Sequence, residues 1–282
     1  MDGIPPIPGD LSDQVGRYTE SRAAGFQDWH PTRAEMLITT RFGDTNQLHH
    51  VTQPGGARTQ LTFFPDRVDG GKFEPGKGEY FVFSKGAGGN EFNQNYRYDF
   101  ATGEITLLTD VKSRNSSPTW SNKGDRIVYT STRRNGADTD IYVESPTDPK
   151  SDKMLAEVKG GGWQVADWSP DDKTFVVTAA PGPGDNNWWI AQIYTIDIAK
   201  DSTTSLYKPS LQIAVPRWSP DGKRIVAERR IRGGASEIVV VDPRTTETAS
   251  AATPHERLAR SAVRRPCRAA GERPPDALAA RR

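Results

Sequence analysis

The chain has 282 residues, of which 26% are charged, and a formal net charge of +1. Neither half of its repetitive part is strongly basic, so nothing marks a nucleic-acid partner or an anionic membrane surface, and no apolar run approaches the roughly 18 residues of a membrane helix. The single Cys267 excludes an internal disulfide, and the opening MDGIPPIPGD has neither a basic nor an apolar leader region, so the expected location is the cytoplasm.

In chain order, IPPIP reads as an extended lead-in and DLSDQVGRYTESR as a short helix capped by Asp10 or Ser12, together filling residues 1–22. A unit then begins to repeat. Trp29, Phe73, Trp120, Trp168 and Trp218 are spaced by 44, 47, 48 and 50 residues, and each is followed by a polar turn. Seven to nine positions after each aromatic stands a hydrophobic triplet: MLI, YFV, IVY, FVV and IVA. A run of alternating apolar residues comes next, as in Tyr96, Tyr98 and Phe100 or Ile193, Ile196 and Ile198, then an Asp-led turn such as DFATGE, then a short run such as QLTFF or ITLLT. Short β-branched and aromatic runs between Gly, Pro, Asn and Asp clusters are strands joined by turns.

Four strands recurring at roughly 40 to 50 residues are the signature of a β-propeller blade. The sequence therefore predicts an all-β fold of about five blades, at 23–66, 67–112, 113–160, 161–210 and 211–248. A blade cannot bury its apolar face alone, and an aromatic ending its first strand suits the wedge between neighbours, so the five aromatics are expected to be buried structural anchors. In the turn WSPDG, Pro220 presets φ, Asp221 suits the third position and Gly222 the fourth. Asp172 stands where that glycine would be, a residue type that tolerates left-handed backbone.

The pattern W-S-P-D-G-K-x-I, with an I-Y-x-x-D strand and an L-T strand behind it, resembles the propeller repeats of the TolB-like group and of the prolyl oligopeptidase family of serine peptidases. FQDWHPTRAEMLITTRFGDTNQLHHVTQPGGARTQLTFFPD and YFVFSKGAGGNEFNQNYRYDFATGEITLLTD look like opening blades of acylaminoacyl-peptidase or dipeptidyl-peptidase relatives. The resemblance covers residues 20–248 and implies a seven- or eight-bladed ring, here incomplete, that gates peptides over an α/β-hydrolase domain. Its implied partners are a peptide substrate and that hydrolase domain; the alternative is a TolB-like scaffold for a protein partner.

The chemistry of a hydrolase is not spelled here. No G-x-S-x-G elbow occurs, and of the four histidines His30 takes a turn position while His49 and His50 are adjacent on a strand and face opposite ways. The chain is expected to be inactive alone, with no catalytic residue, cofactor or metal. Asp138 and Asp140 share a strand face, but a tip rich in Asn, Gly and Asp is ordinary turn chemistry. The glycine clusters at 86–89, 160–162 and 181–184 lack a following G-K-[ST] and read as hairpin loops. One loop residue, Glu91, is a candidate substrate ligand, because related dipeptidyl peptidases hold a peptide amino terminus with propeller glutamates.

From Ala249 to Arg282 the chain turns to Ala, Arg and Pro, and the fifth unit has no recognisable fourth strand. A basic tail, a disordered linker and translation out of frame are the alternatives, the last fitting the composition best.

Overall fold

The computed structural model describes residues 7–19, 22–86, 88–160, 162–179, 192–199, 202–207, 212–230, 235–245 and 248–251. The lead-in at 1–6, the 181–184 glycine cluster and the tail beyond Ala251 lie outside these residues. The helix α1 spans Gly9–Thr19 and buries no side chain. Its first bond runs from Ser12 N–H to the Pro8 carbonyl, so Asp10 and Ser12 lie inside the first turn and neither is the cap expected from the sequence.

Five antiparallel four-stranded sheets follow, each a meander whose sequence neighbours are spatial neighbours. Sheet 1 holds β1 (Gly25–Trp29), β2 (Met36–Thr40), β3 (Gln47–Val51) and β4 (Thr59–Gln60). Sheet 2 holds β5 (Val68–Phe73), β6 (Tyr80–Lys85), β7 (Gln94–Asp99) and β8 (Ile105–Leu107). Sheet 3 holds β9 (Thr119–Trp120), β10 (Ile127–Ser131), β11 (Asp140–Ser145) and β12 (Asp148–Ala156). Sheet 4 holds β13 (Trp163–Trp168), β14 (Thr174–Ala179), β15 (Gln192–Asp197) and β16 (Ser202–Tyr207), and sheet 5 holds β17 (Gln212–Trp218), β18 (Ile225–Arg230), β19 (Glu237–Val241) and β20 (Thr248–Ala251). Every first strand ends on its predicted aromatic. β20 corrects the expectation of an unclosed fifth unit: Thr248–Ala251 pairs antiparallel with β19, from Val241↔Thr248 to Ile238↔Ala251. Main-chain pairing asks little of side chains, which is why a Ser- and Ala-rich strand left no pattern to read.

Four apolar clusters occupy the seams between successive sheets. Leu37, Leu48, Phe73, Phe81 and Phe83 fill seam 1/2; Val82, Leu108 and Ile127 fill seam 2/3. Val128, Val143, Trp168 and Phe175 fill seam 3/4, and Val176, Ile193, Ile225 and Val239 fill seam 4/5. Among the described residues no cluster joins sheet 5 to sheet 1, so the sheets form an incomplete β-propeller. Within sheet 2 the registered pairs Phe81↔Tyr98 and Phe83↔Tyr96 stack at 4.9 and 5.3 Å, a cross-strand aromatic ladder.

The anchors of sheets 2 to 5 pack against the preceding sheet, but their burial departs from the expectation: Trp120 and Trp218 are half-buried and Trp29 is exposed. Phe73 and Trp168 are each 2% exposed, whereas Trp29 is 57% exposed. Trp120 and Trp168 reach back one sheet, their indole N–H groups donating to Lys72 and Thr119 carbonyls at 3.4 and 3.2 Å. Trp29 belongs to the first sheet, no described sheet precedes it, and its ring lies 5.4 Å from that of Phe26.

The turn after each anchor serves the same seams. Ser121, Ser169 and Ser219 accept the N–H groups of Arg126, Thr174 and Arg224 at 3.2, 3.0 and 3.0 Å, and His30 Nδ1 takes over by accepting Thr32 and Arg33 N–H groups, both at 3.2 Å. In the turns of sheets 3, 4 and 5 the fourth residue, Gly124, Asp172 or Gly222, is left-handed and meets the preceding turn. At Gly124, φ +72°, a Cβ would lie 2.9 Å from both Glu74 Oε1 and Pro75 Cγ. Asp172, φ 55°, instead sends its carboxylate across to the N–H groups of Asn122 and Lys123 at 2.7 and 3.0 Å.

Because each sheet is a meander, the second-to-third-strand hairpins and the links between sheets share one end of the arc. The turns just described lie at the other end. The link end carries the candidate site.

Candidate functional site

In the first three sheets the first residue of the third strand holds the link that follows. Gln47 donates to the Phe64 and Asp66 carbonyls, both at 3.0 Å, and accepts Phe64 N–H at 3.1 Å. Gln94 does the same one sheet later, donating to the Ser113 carbonyl at 2.8 Å and accepting Val111 N–H at 2.9 Å. The L-T motif adds a second staple, since Thr62 and Thr109 hydroxyls accept Leu48 and Asn95 N–H groups at 2.9 and 3.1 Å. These bonds tie the first two links to their own sheets.

Between the first link and the β6–β7 hairpin lies a cleft of about 450 Å³, walled by the link residues Asp66 and Arg67, by Asp69 of β5, and by Asn90, Glu91 and Asn93 of the hairpin. Asp66 joins the two walls by accepting Gly88 N–H at 2.9 Å, and Asp69 is paired with Arg67 at 2.8 Å. Gly88 and Gly89, at φ +60° and +73°, form the tight hairpin expected of that glycine cluster. Glu91 stands on the rim with its side chain 83% exposed, 3.4 Å from Arg114, whose guanidinium also lies 5.6 Å from the Phe92 ring centroid. Of the asparagines near Glu91 in sequence, Asn95 is buried and spent on structure, accepting from Ser84 at 2.7 Å and donating to the Ser116 carbonyl at 3.1 Å. Sequence reasoning singled out Glu91 but missed Asp66, Arg67, Asp69 and Arg114, which arrive from other loops. The only signal was Gln at the head of three third strands, Gln47, Gln94 and Gln192, blurred by unequal loop lengths.

The remaining candidates have structural partners. His49 is buried, with Nδ1 3.0 Å from the Gln47 carbonyl, and burial holds its pKa below the ordinary value. His50 points to the other face, 2.9 Å from Glu35 and against Phe73 and Phe100. His30 is lowered by burial first and then by Arg33. Asp138 and Asp140 both bind Arg134, at 2.9 and 2.7 Å, and Asp140 also accepts Val158 N–H at 3.0 Å, pinning the third link. The Thr32 hydroxyl lies 3.5 Å from His30 Nδ1 at the turn end, away from the cleft.

Four-stranded meanders wedged in sequence by aromatics define an incomplete β-propeller, with a polar cleft at its link end. Comparisons agree on the fold. The chain matches no protein-family model. It is 29% identical over 221 residues to the Tol-Pal system protein TolB of Francisella tularensis subsp. holarctica (strain OSU18), covering 77% of this chain and 48% of that protein. Among solved structures it is similar to TolB from Acinetobacter baumannii, with TM-score 0.54 and 21% identity over 86% of this chain and 56% of that one. It is also similar to puromycin hydrolase, with TM-score 0.63 and 18% identity over 83% of this chain and 40% of that one. The chain thus spans about half the length of the curated relative, and its likeness to the solved structures establishes the propeller fold alone.

Proposed function

We propose that the chain is the substrate-gating propeller portion of a serine peptidase acting on short peptides, the hydrolytic chemistry belonging to an α/β-hydrolase domain. The observation that supports this is the link-end cleft, with its rim carboxylate on Glu91. An exposed pair such as Glu91–Arg114 contributes under about 1 kcal/mol, so a peptide ammonium can displace the guanidinium and donate two charge-assisted hydrogen bonds to the carboxylate. Asp66 and Asp69, already held by Gly88 and Arg67, set a negative wall without needing to move. Calorimetric titration of the full chain with tripeptides tests the reading. A free amino terminus should bind at least about tenfold more tightly than its acetylated form, one charge-assisted bond being worth roughly 1.5 kcal/mol or more. Equal affinity, or none, overturns it. The chain alone should not turn over chromogenic peptides.

The second reading is a TolB-like scaffold for protein–protein interaction, supported by the 29% identity that extends over 77% of the chain. A folded Tol-Pal system polypeptide binding where short peptides do not would favour it.

A further inference from the structure

Glu144 in β11 is 1% exposed, and neither oxygen of its carboxyl group has a hydrogen-bond partner. Beside it runs a closed network that it does not join. Tyr129 of β10 donates to Asp152 of β12 at 2.8 Å, and Arg133 donates to the Tyr129 hydroxyl at 2.9 Å and to the second Asp152 oxygen. The same guanidinium lies 4.5 Å from the Tyr142 ring centroid and 3.6 Å from Asp110. From sheet 2, Arg97 is engaged with the Pro146 carbonyl at 3.0 Å, and Asp140, on Glu144's own strand, is held by Arg134. Arg133 is therefore the one cation at hand, and Asp152 and Asp110 already share it.

A carboxylate removed from water without a partner takes up a proton rather than stay charged. We propose that Glu144 is a proton-linked switch in seam 2/3, neutral while the seam is closed and, once ionised, a competitor of Asp152 and Asp110 for Arg133. Burial above all, and then the charge of Asp152, pushes its pKa up to about 8, with Arg133 opposing. Ionisation reaches the link end through Asp110, whose carboxylate accepts the N–H groups of Lys112 and Ser113 at 3.3 and 3.0 Å in the loop that carries Arg114. This coupling does not depend on what the Glu91 cleft binds.

The sign follows from linkage. The folded chain holds a proton that the unfolded chain has released between the ordinary value of 4.5 and about 8, so this group's contribution to stability falls as pH rises through that window. Carbon-13 NMR of glutamate carboxyls in the full chain should show one resonance still protonated at about pH 6.5 and titrating above about 7, and Glu144→Gln should remove it. Every glutamate titrating below about pH 6 overturns the proposal. In urea unfolding, the wild-type folding constant should lose up to about tenfold per pH unit relative to Glu144→Gln between about pH 5.5 and 7.5. Parallel curves overturn it as well, and should Glu144→Gln fail to fold, the wild-type titration alone decides.

Discussion

Asp167 accepts the backbone N–H of Trp218 across seam 4/5 at 2.9 Å, while the neighbouring Arg217 reaches back to the carbonyl of Ala166. Seam 1/2 repeats the exchange, with Asp28 accepting Phe73 N–H at 2.9 Å and Lys72 donating to the Gln27 carbonyl at 3.0 Å. Gln27 and Ala166 are the extra residues of β-bulges in β1 and β13. A bulge leaves a peptide outside the ladder, and the cation of the next sheet satisfies it. Burial raises the Asp167 pKa, and the Trp218 N–H and then Arg217 oppose that rise. Asp167→Ala, which orphans a half-buried N–H, should cost about 1–3 kcal/mol in urea unfolding, whereas Asp167→Asn keeps an acceptor and should cost less than half as much.

The anchors should not be equivalent. Trp168, wedged against sheet 3, should lose about 3–5 kcal/mol on Trp168→Ala. Trp29→Ala, at a site 57% exposed, should lose well under half of that. Equal losses in thermal unfolding would mean that Trp29 is covered in solution.

At the turn end, Gly124→Ala combines a left-handed φ with a clash against Glu74 and Pro75, and should destabilise by more than about 1 kcal/mol. Asp172→Gly relaxes its own backbone yet gives up the bonds to Asn122 and Lys123, so a net loss of about 1 kcal/mol is expected in the same assay.

Acid should destabilise the fold through its buried histidines. His30 and His49 have folded pKa values below 6.5, so the unfolded chain binds more protons and stability falls as pH drops below that value. His49→Gln should flatten the decline below about pH 6.5, read as unfolding free energy against pH.

How much of this was legible in the sequence depends on the range of the interaction. Trp120, Trp168 and Trp218 announced the ends of β9, β13 and β17, because an aromatic, a turn and a triplet lie within ten residues of one another. The exposure of Trp29 was not readable, since it depends on which sheet stands beside it. The exchange between Asp167 and Arg217 spans 50 residues, and only the structure shows that D-W in one unit answers R-W in the next. Glu91 was visible as a loop carboxylate, but its cleft is assembled from three loops. Glu144 looked like any polar residue of an alternating strand, and its isolation comes from the side chains of β10 and β12 and from the neighbouring sheet.

The most direct test of peptide recognition at the link end is amide chemical-shift mapping of the full chain on titration with a tripeptide bearing a free amino terminus. Shifts should concentrate at residues 65–69 and 88–93 and at Arg114, and Glu91→Gln should weaken them. Shifts confined to the opposite end, around Pro75, Asn122 and Pro170, or no shifts at all, would contradict it.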